Sequence, residues 1–271
     1  MAPETRISRK FAELRARNES ALIPFIVCGD RSLEDTAALV KTLETAGADL
    51  VELGVPFSDP MADGPANQRA LARGLAAGVS VSAIIGFVKE LRRATEIPII
   101  LFGYYNPFYH YGCERLCRDA ASVGVDGLLV VDLPPEESAE LDRPARVNNL
   151  DLIRLLAPTT PIERCREIAR AASGFLYYVS VTGVTGARST LPVDLEPRLR
   201  GLRRVTSLPL GVGFGISTAQ QASEVASFAD AAVVGSAISL VLEQHGGGPP
   251  AWKAVGELVG AMKRAMNTAR A

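Results

Sequence analysis

Residues 22–53, LIPFIVCGDRSLEDTAALVKTLETAGADLVEL, contain the pattern that decides the fold. The apolar run Leu22–Val27 predicts a buried strand, and Leu33–Ala46 carries charged side chains at helical spacing. Leu50–Leu53 is then apolar again apart from one glutamate. A continuous apolar run, rather than strict alternation, is typical of a parallel strand that is buried on both faces. The stretch is therefore interpreted as one strand–helix–strand unit.

The same unit recurs along the whole chain. The further predicted strands are Ile97–Phe102, Gly127–Val131, Asp151–Leu156, Phe175–Val179, Leu208–Val212 and Ala231–Val234. The further predicted helices are Val81–Thr95, Cys113–Val123, Glu136–Asn148, Ile162–Ala172, Leu195–Val205, Thr218–Phe228 and Trp252–Ala269. Eight alternations in about 250 residues are typical of a (β/α)8 TIM barrel, with a doubly wound α/β sheet as the competing architecture. No linker divides the chain, so we expect one TIM-barrel domain over residues 1–271.

An additional helix is predicted at the amino terminus. Ile7, Phe11 and Leu14 are spaced as one apolar helix face among several arginines. An Arg-rich amphipathic segment can also be an organelle transit peptide. Because an apolar strand follows almost at once, the structural helix is the preferred interpretation. No stretch reaches the roughly 18 apolar residues that a membrane span needs.

Composition excludes several function classes. The 271 residues are 48% hydrophobic and 22% charged, which excludes a disordered, collagen-like or coiled-coil chain. The net charge of −1 leaves no basic excess for nucleic acid and no basic patch for a membrane surface.

Cysteine and histidine usage bears on location and metal binding. The four cysteines form no C-x-x-C pair, which predicts reduced thiols in a cytoplasmic protein. The only histidines, His110 and His245, are far apart, so we expect neither a structural zinc site nor any other metal.

Active sites of such barrels lie at the carboxyl ends of the strands, and two candidate carboxylates lie there: Glu52 within the second strand and Asp63 in the loop after it. Alternation places Glu52 on the same strand face as Leu50, toward the barrel mouth. Burial there would raise its pKa toward a value useful for general acid–base catalysis. A carboxylate paired with a core arginine or with the helix layer is the alternative. Asp63 alone, before a glycine, is typical of a turn.

Glycine-rich segments follow the seventh and eighth predicted strands. Residues Gly213, Phe214 and Gly215 come after one strand, and Gly235 and Ser236 come after the next. These two positions often hold a phosphate in barrels, because glycine lets backbone N–H groups approach it closely. Neither segment has the lysine of a Walker A loop or the acidic partner of a dinucleotide fingerprint.

The small, polar segment Ser180–Ser189 follows the sixth strand and suits a lid that closes over substrate. A disordered surface loop is its alternative interpretation. Tyr177 and Tyr178 precede this segment, and one of the two must point into the barrel.

Several catalytic groups are missing from the strand ends. The five lysines all fall in predicted helices, which argues against a Schiff-base aldolase. His110 is expected on the surface, in the loop after the third strand, and no G-x-S-x-G elbow occurs. The site therefore has to use carboxylates, a tyrosine and backbone donors on a phosphorylated substrate.

The chain contains a series of short motifs in this order: Pro24–Phe25, ELGVPFSDP at 52–60, ADGP at 62–65, YYNP at 104–107, DLPPEE at 132–137, APTT at 157–160, GVTGA at 183–187 and GFGI at 213–216. In these segments, and over nearly its whole length, the sequence closely resembles the tryptophan synthase alpha chain family. One departure is Gly29-Asp30-Arg31, because the family usually has Gly-Asp-Pro there.

The resemblance implies a barrel that cleaves indole-3-glycerol phosphate into indole and glyceraldehyde 3-phosphate without a cofactor. It implies that Glu52 and Asp63 are the catalytic carboxylates, joined by Tyr177 at the indole end. The substrate-binding residues that it implies are Phe25, Tyr104, Thr185, Gly186, Gly213, Phe214, Gly215, Gly235 and Ser236.

A partner is implied as well: a pyridoxal-phosphate beta chain that receives indole in an alpha2beta2 complex. The expected interface residues lie in proline-bearing loops on one rim of the barrel mouth: Pro56, Asp59, Asn106, Asp132 and Pro134. Arg31 adds an unfamiliar charge to this rim. A free-standing lyase and a catalytically weak subunit that activates a partner are the alternatives. Another phosphate-binding barrel would need a Lys, His or Cys at a strand end, where only Cys28 qualifies.

Overall fold

The computed structural model describes residues 4–179, 191–213 and 215–270. Within these ranges, eight parallel strands pair in sequence order and close into a barrel, which confirms the predicted fold. The strands are β1 Ala21–Val27, β2 Val51–Gly54, β3 Ile99–Gly103, β4 Gly127–Val130, β5 Asp151–Leu156, β6 Leu176–Val179, β7 Leu210–Gly213 and β8 Ala231–Val234.

Helices surround this barrel. They are α1 Arg6–Ala16, α2 Leu33–Thr45, α3 Pro65–Ala76, α4 Val81–Leu91, α5 Tyr105–Tyr111, α6 Cys113–Ser122, α7 Ala139–Val147, α8 Ile162–Ala171, α9 Leu195–Leu202, α10 Ala219–Ala226, α11 Ser236–His245 and α12 Gly248–Thr268. A short 3₁₀ turn, Pro135–Glu137, precedes α7. Each strand overlaps the predicted one, and β5 and β8 have the predicted bounds.

Three helices were not predicted from the sequence: α3, α5 and α11. Two of them carry a proline near their start, Pro65 in α3 and Pro107 in α5, where no backbone N–H is needed. His110 and the Asn106–Pro107 pair therefore lie in α5, and the prediction that they form a loop and a turn is wrong. Helix α12 likewise begins at Gly248, four residues before the predicted start at Trp252.

Apolar residues pack in two layers on either side of the strands. Leu50, Phe102 and Tyr177 belong to the cluster inside the barrel. Val51, Leu53 and Tyr178 belong to the cluster between the strands and the helices. The alternation predicted for β2 and β6 is therefore confirmed, and it is Tyr177 that points into the barrel.

Helix α1 closes the amino-terminal end of the barrel, opposite the strand ends that carry the site. Its Ile7, Phe11 and Leu14 are buried in the inner cluster, and the Phe11 ring lies 5.6 Å from the Phe175 ring. Thr5 is the N-cap of α1 and donates a hydrogen bond to Asp151 at the start of β5. The predicted amino-terminal helix thus covers the amino-terminal end of the barrel.

At the same end, a side chain before each even-numbered strand clamps the odd-numbered strand that precedes it. The clamping oxygens accept the backbone N–H of a strand residue at 2.7–2.8 Å in the pairs Asp49–Leu22, Asp126–Ile99, Ser173–Leu152 and Asp230–Leu210. In each pair, the clamping residue also donates its own N–H to the carbonyl of the same strand residue at 2.9 Å. Two hydrogen bonds in each of these four pairs thereby fix the register between an odd-numbered strand and the even-numbered strand that follows it.

Across residues 4–179, 191–213 and 215–270, no individual helix has both the length and the apolar character needed to cross a membrane. The pair α3 and α4 meets that test only when both helices are taken together across a 92° bend. Buried core helices of a barrel meet the same test.

Candidate active site

Glu52 lies in the middle of β2, directly opposite Phe25 of β1 and Ile100 of β3 in the parallel pairing. Its side chain is 0% exposed. Among the described residues, neither Oε1 nor Oε2 has a hydrogen-bond partner. Burial alone raises the pKa of this carboxyl to about 8, because the charged form loses its hydration. Glu52 is therefore protonated at neutral pH and can donate a proton.

Asp63 ends the loop after β2, immediately before the N-cap Gly64 of α3. Its two carboxylate oxygens are held by different donors: the Tyr104 hydroxyl donates to Oδ2 at 2.7 Å, and Asn67 Nδ2 donates to Oδ1 at 3.3 Å. Burial raises the pKa of Asp63, while these two hydrogen bonds lower it. The same Tyr104 oxygen accepts the backbone N–H of Ala62 at 3.0 Å, which ties the loop to β3.

Tyr177 projects from β6 into the barrel and is buried. Burial raises the pKa of its hydroxyl well above the ordinary value, and the charges of Glu52 and Asp63 add to this effect. The neighbouring Gly213 of β7 makes room for the ring, because a Cβ there would lie 1.9 Å from the Tyr177 hydroxyl oxygen. Gly213 thus has a packing role in addition to the predicted role at the phosphate.

These side chains line one cavity of about 420 Å³ at the carboxyl ends of the strands. Its lining consists of Phe25, Glu52, Asp63, Asn67, Phe102, Tyr177, Gly215, Ile216, Val233, Gly235 and Ser236. The rings of Phe25 and Phe102 meet edge to face at 4.9 Å and supply an apolar wall.

Another part of this cavity has the features of an anion site. Helix α11 begins at Ser236, and the first N–H groups of a helix have no intrahelical acceptor. Gly215 has φ of +91°, a left-handed conformation that favours glycine. Together with Gly235, these positions present backbone donors and a helix amino end to the cavity.

The structure brings together most, though not all, of the residues that the sequence pointed to. Phe25, Glu52, Asp63, Tyr177, Gly215, Gly235 and Ser236 line the cavity, and Tyr104 contacts it through Asp63. Thr185, Gly186, Phe214 and the predicted lid Ser180–Ser189 lie outside the described residues. Sequence analysis missed Asn67, because the helix α3 that brings its side chain to Asp63 was not predicted. It also missed Ser239, Phe102 and Val233.

The predicted interface residues lie on the rim of the barrel mouth, with one exception. Asp59, Asn106, Asp132 and Pro134 are exposed, whereas Pro56 is buried. A Cβ on Gly74 of α3 would lie 2.7 Å from Pro56 Cγ, which shows how closely the two residues pack.

The same rim exposes apolar surface that the sequence did not indicate. Met61 is 84% exposed and Tyr109 is 58% exposed. A groove of about 1050 Å³ lies between the β2 loop and α5, and Phe57, Leu75, Pro107 and His110 are part of its lining. The β2 loop and α5 therefore both present apolar side chains at this rim.

In the parts of the chain that the structure describes, no cluster of three or more His, Cys, Asp or Glu side chains could hold a metal ion. The four cysteines are unpaired and buried. Burial raises the pKa of Cys28 to about 12, so this thiol stays protonated at the end of β1. A protonated, buried thiol is a poor nucleophile.

Residues 11–267 match the family model of the tryptophan synthase alpha chain. The chain belongs to the tryptophan synthase alpha chain family. The family's alpha chain from Geobacter sp. strain M21 is 55% identical over 243 residues, which cover 90% of this chain and 91% of that relative. The alpha chain from Gluconacetobacter diazotrophicus is 48% identical over 272 residues and covers 98% of this chain and 99% of its own length.

Solved structures of tryptophan synthase alpha chains have the same fold. The alpha subunit from Legionella pneumophila str. Paris superposes with a TM-score of 0.90 at 36% identity, covering 98% of this chain and 100% of its own. A chain of Mycobacterium tuberculosis tryptophan synthase gives a TM-score of 0.89 at 32% identity, covering 98% and 99% of the two chains.

Arg31 is the place where this member departs from the usual Gly-Asp-Pro of the alpha chain family. Its φ is +84°, a conformation that proline cannot adopt because its ring fixes φ near −65°. Arg31 is exposed at the mouth beside Gly247, where a Cβ would lie 3.3 Å from Arg31 Cγ. Its charge also helps to lower the pKa of Glu243 on α11. A proline could not adopt the backbone conformation that Arg31 has here, and the arginine also adds a positive charge to the rim.

Proposed function

We propose that this chain cleaves indole-3-glycerol phosphate into indole and glyceraldehyde 3-phosphate, with Glu52 and Asp63 as its catalytic carboxylates. The observation that carries the proposal is the fully buried, protonated Glu52 carboxyl, which shares a cavity with a hydrogen-bonded carboxylate. Family membership supplies the substrate, and the cavity supplies an apolar wall for indole and a helix amino end for phosphate.

The reaction is a retro-aldol cleavage in which protons are only moved. Protonated Glu52 donates a proton to indole C3, and the ring nitrogen becomes cationic. The glutamate that forms then takes the proton from the hydroxyl on the neighbouring side-chain carbon. The carbon–carbon bond breaks, its electron pair returns to the indole ring, and the aldehyde leaves. Glu52 ends the cycle protonated, which is the form that its raised pKa favours.

Asp63 stabilises the charge that develops on the indole. Its carboxylate would accept the ring N–H, whose acidity rises as the nitrogen becomes cationic. In a cavity that excludes water, such an interaction is much stronger than in solution. Tyr177 would lie against the indole end, where its buried hydroxyl stays protonated.

The phosphate would bind at the opposite end, against Gly213, Gly215, Gly235 and Ser236. A helix dipole and unpaired backbone N–H groups attract a phosphate without requiring a lysine or arginine. Thr185, Gly186 and Phe214 complete the proposed substrate contacts from segments that the structure does not describe, with Ser180–Ser189 as the proposed lid.

The direct test is indole release from indole-3-glycerol phosphate by the purified chain. Wild type should release indole, whereas Glu52→Gln and Asp63→Asn should lose about 10²-fold or more in kcat. Asp59→Asn is a matched control for the charge change, because Asp59 is exposed on the same loop. Near-native indole release by Glu52→Gln would overturn the catalytic assignment.

We also propose that the rim binds a pyridoxal-phosphate beta chain in an alpha2beta2 complex. The exposed side chains of Met61 and Tyr109 and the groove between the β2 loop and α5 support this proposal. The Phe57 ring stands 5.2 Å from the Tyr104 ring, and Tyr104 holds Asp63. A partner that presses on Phe57 could therefore shift Asp63 and change the rate.

Titration with the beta chain of the same organism tests this partnership. Formation of a complex by size exclusion, together with faster cleavage, is the expected result. If no complex forms and the rate does not increase, the chain is a free-standing lyase. A complex without intrinsic cleavage by the alpha chain would identify a subunit that mainly activates its partner. The cytoplasm is the proposed location, since the four cysteines are unpaired thiols.

A further inference from the structure

Two side chains that sequence analysis did not select form a hydrogen-bonded line to Asp63. Asn67 lies on α3, and its Nδ2 donates to Asp63 Oδ1 at 3.3 Å. Ser239 lies on α11, and its Oγ donates to Asn67 Oδ1 at 2.8 Å. Asn67 is 5% exposed and Ser239 is 2% exposed, so the line is shielded from water.

The order of donors and acceptors along this line is fixed by chemistry. An ionised carboxylate only accepts hydrogen bonds, so the Asn67 amide must turn its NH2 group toward Asp63. The amide oxygen then faces away and needs a donor, which the Ser239 hydroxyl provides. Without that hydroxyl, the amide oxygen is buried without a partner, and the amide is free to rotate away from Asp63.

The line also joins two functional parts of the proposed site. Ser239 is three residues after Ser236, one turn along α11, whose amino end is the proposed phosphate position. Asn67 is four residues after Asp63, one turn along α3. The helix that would bind the phosphate is therefore linked, through the side chain of Asn67, to the carboxylate that would bind the indole N–H.

We propose that Asn67 and Ser239 are positioning residues that hold Asp63 in the orientation needed for cleavage. Ser239 orients the Asn67 amide, Asn67 holds Oδ1, and Tyr104 holds Oδ2, so that the carboxylate plane is fixed from both sides. This inference rests on the proposed function for the role of Asp63, but the hydrogen-bonded line can be tested independently of that function.

The pKa of Asp63 provides a second test of the hydrogen bonds that run from Ser239 through Asn67 to Asp63. The hydrogen bond from Asn67 lowers the pKa of Asp63 against the rise caused by burial. The other titratable groups near Asp63 are Tyr104, bonded to it, and Glu52 and Tyr177 across the cavity. Loss of the Asn67 donor should therefore raise the pKa of Asp63 while these three groups stay in place.

Ser239→Thr and Ser239→Val provide a matched pair, because their side chains have nearly the same shape and differ in the hydroxyl. Both add a methyl group to a buried site, so their packing effects should be similar. Ser239→Val should lower kcat for indole release by about ten-fold, the usual effect of leaving a buried polar group without its hydrogen-bond partner. Ser239→Thr should recover most of that loss. Equal kcat values for the two variants would overturn the proposal.

Asn67→Leu removes the donor itself and remains informative if Ser239→Val does not fold. It should lower kcat at least as much as Ser239→Val, and the double variant should be no worse than Asn67→Leu alone, because both changes break one line. Additive losses would mean that the two residues act separately and would contradict the inference. Ser122→Ala is a suitable control, since that hydroxyl bonds only to a helix carbonyl on α6.

Carbon-13 NMR titration of the Asp63 carboxyl separates this inference from the proposed function. The pKa should be higher in Asn67→Leu and Ser239→Val than in wild type and Ser239→Thr, with or without any indole release. An unchanged pKa in both variants would overturn the inference even if the wild type is an active lyase. Absence of indole release by wild type would overturn the proposed function and leave this titration to decide the inference.

Discussion

Phe25 and Glu52 occupy directly opposed positions in the pairing of β1 and β2, so their side chains point to the same side of the barrel wall. The Phe25 ring also reaches across the end of β2, because a Cβ on Gly54 would lie 2.6 Å from Phe25 Cζ. Glu52 thus has aromatic neighbours in place of water. This pairing explains why its carboxyl stays protonated near neutral pH.

Replacing Glu52 by Gln should abolish indole release and raise the free energy of unfolding at alkaline pH. The carboxyl has a pKa of about 8 when folded and 4.5 as its ordinary value, so between these pH values the folded state binds more protons. The free energy of unfolding of wild type therefore falls as pH rises through this window. Glu52→Gln lacks that fall and should be more stable than wild type by a few kcal/mol at pH 9.

Urea unfolding of both proteins at pH 5 and pH 9 measures this difference. Asp59→Asn serves as the control, because its exposed carboxylate should change neither curve. A stability difference between wild type and Glu52→Gln that is the same at both pH values would show that the Glu52 carboxyl does not have a raised pKa.

The same group sets the alkaline limit of activity. Glu52 must start the cycle with its proton, so kcat/KM for indole release should fall as pH rises through about 8. On the acid side, activity should fall as Asp63 takes up a proton and loses its charge. Initial rates between pH 5 and pH 10 would reveal both limbs, and a flat profile up to pH 10 would argue against Glu52 as the acid.

Ser236→Asp should weaken binding of the phosphorylated substrate and spare the fold. An acidic side chain in the first turn of α11 is favourable for the helix but repels a phosphate at the same place. KM for indole-3-glycerol phosphate should rise on the order of ten-fold or more, with a smaller rise in Ser236→Ala. If affinity for inorganic phosphate is the same in wild type and Ser236→Asp, the phosphate position is wrong.

Gly213→Ala should damage the site through Tyr177 and not only through the phosphate. The added Cβ would lie 1.9 Å from the Tyr177 hydroxyl oxygen, so the buried ring has to move. We expect a lower melting temperature together with slower indole release from both phosphorylated and dephosphorylated substrate. A loss restricted to the phosphorylated substrate, with unchanged melting, would instead mean that Gly213 acts only at the phosphate.

Phe11→Ala should lower the free energy of unfolding by about 3–5 kcal/mol, because it leaves a cavity where the Phe11 ring packs against Phe175. Below its melting temperature, the variant should retain kcat, since α1 lies at the end of the barrel opposite the site. Thermal unfolding and indole release measured together check this separation. A large loss of kcat in a fully folded variant would connect α1 to catalysis and contradict the prediction.

Local patterns in the sequence predict most of the barrel and the main site residues. The alternation that places Glu52 and Tyr177 inside depends on residues next to them, as do the apolar runs of β5 and β8. Helix α5 escaped prediction because its seven residues are too few to show a helical period, and its asparagine and proline suggest a turn.

Contacts between distant segments cannot be predicted in this way. Ser239 meets Asn67 across 172 residues, and only closure of the barrel brings α11 beside α3. The burial of Pro56 follows from its packing against Gly74 of the next helix, which its place in a proline-bearing loop does not reveal. These features depend on packing between elements, which a single chain segment does not encode.

The four clamps at the amino-terminal end divide the barrel into quarters. Each clamp joins the two strands of one pair, and none joins one pair to the next. A gene segment that encodes one strand pair would therefore also encode the hydrogen bonds that fix the register of that pair, and a duplicate of the segment would retain them. Duplication of such a segment could enlarge a barrel while the opposite strand ends, which carry the site, diverge toward new chemistry.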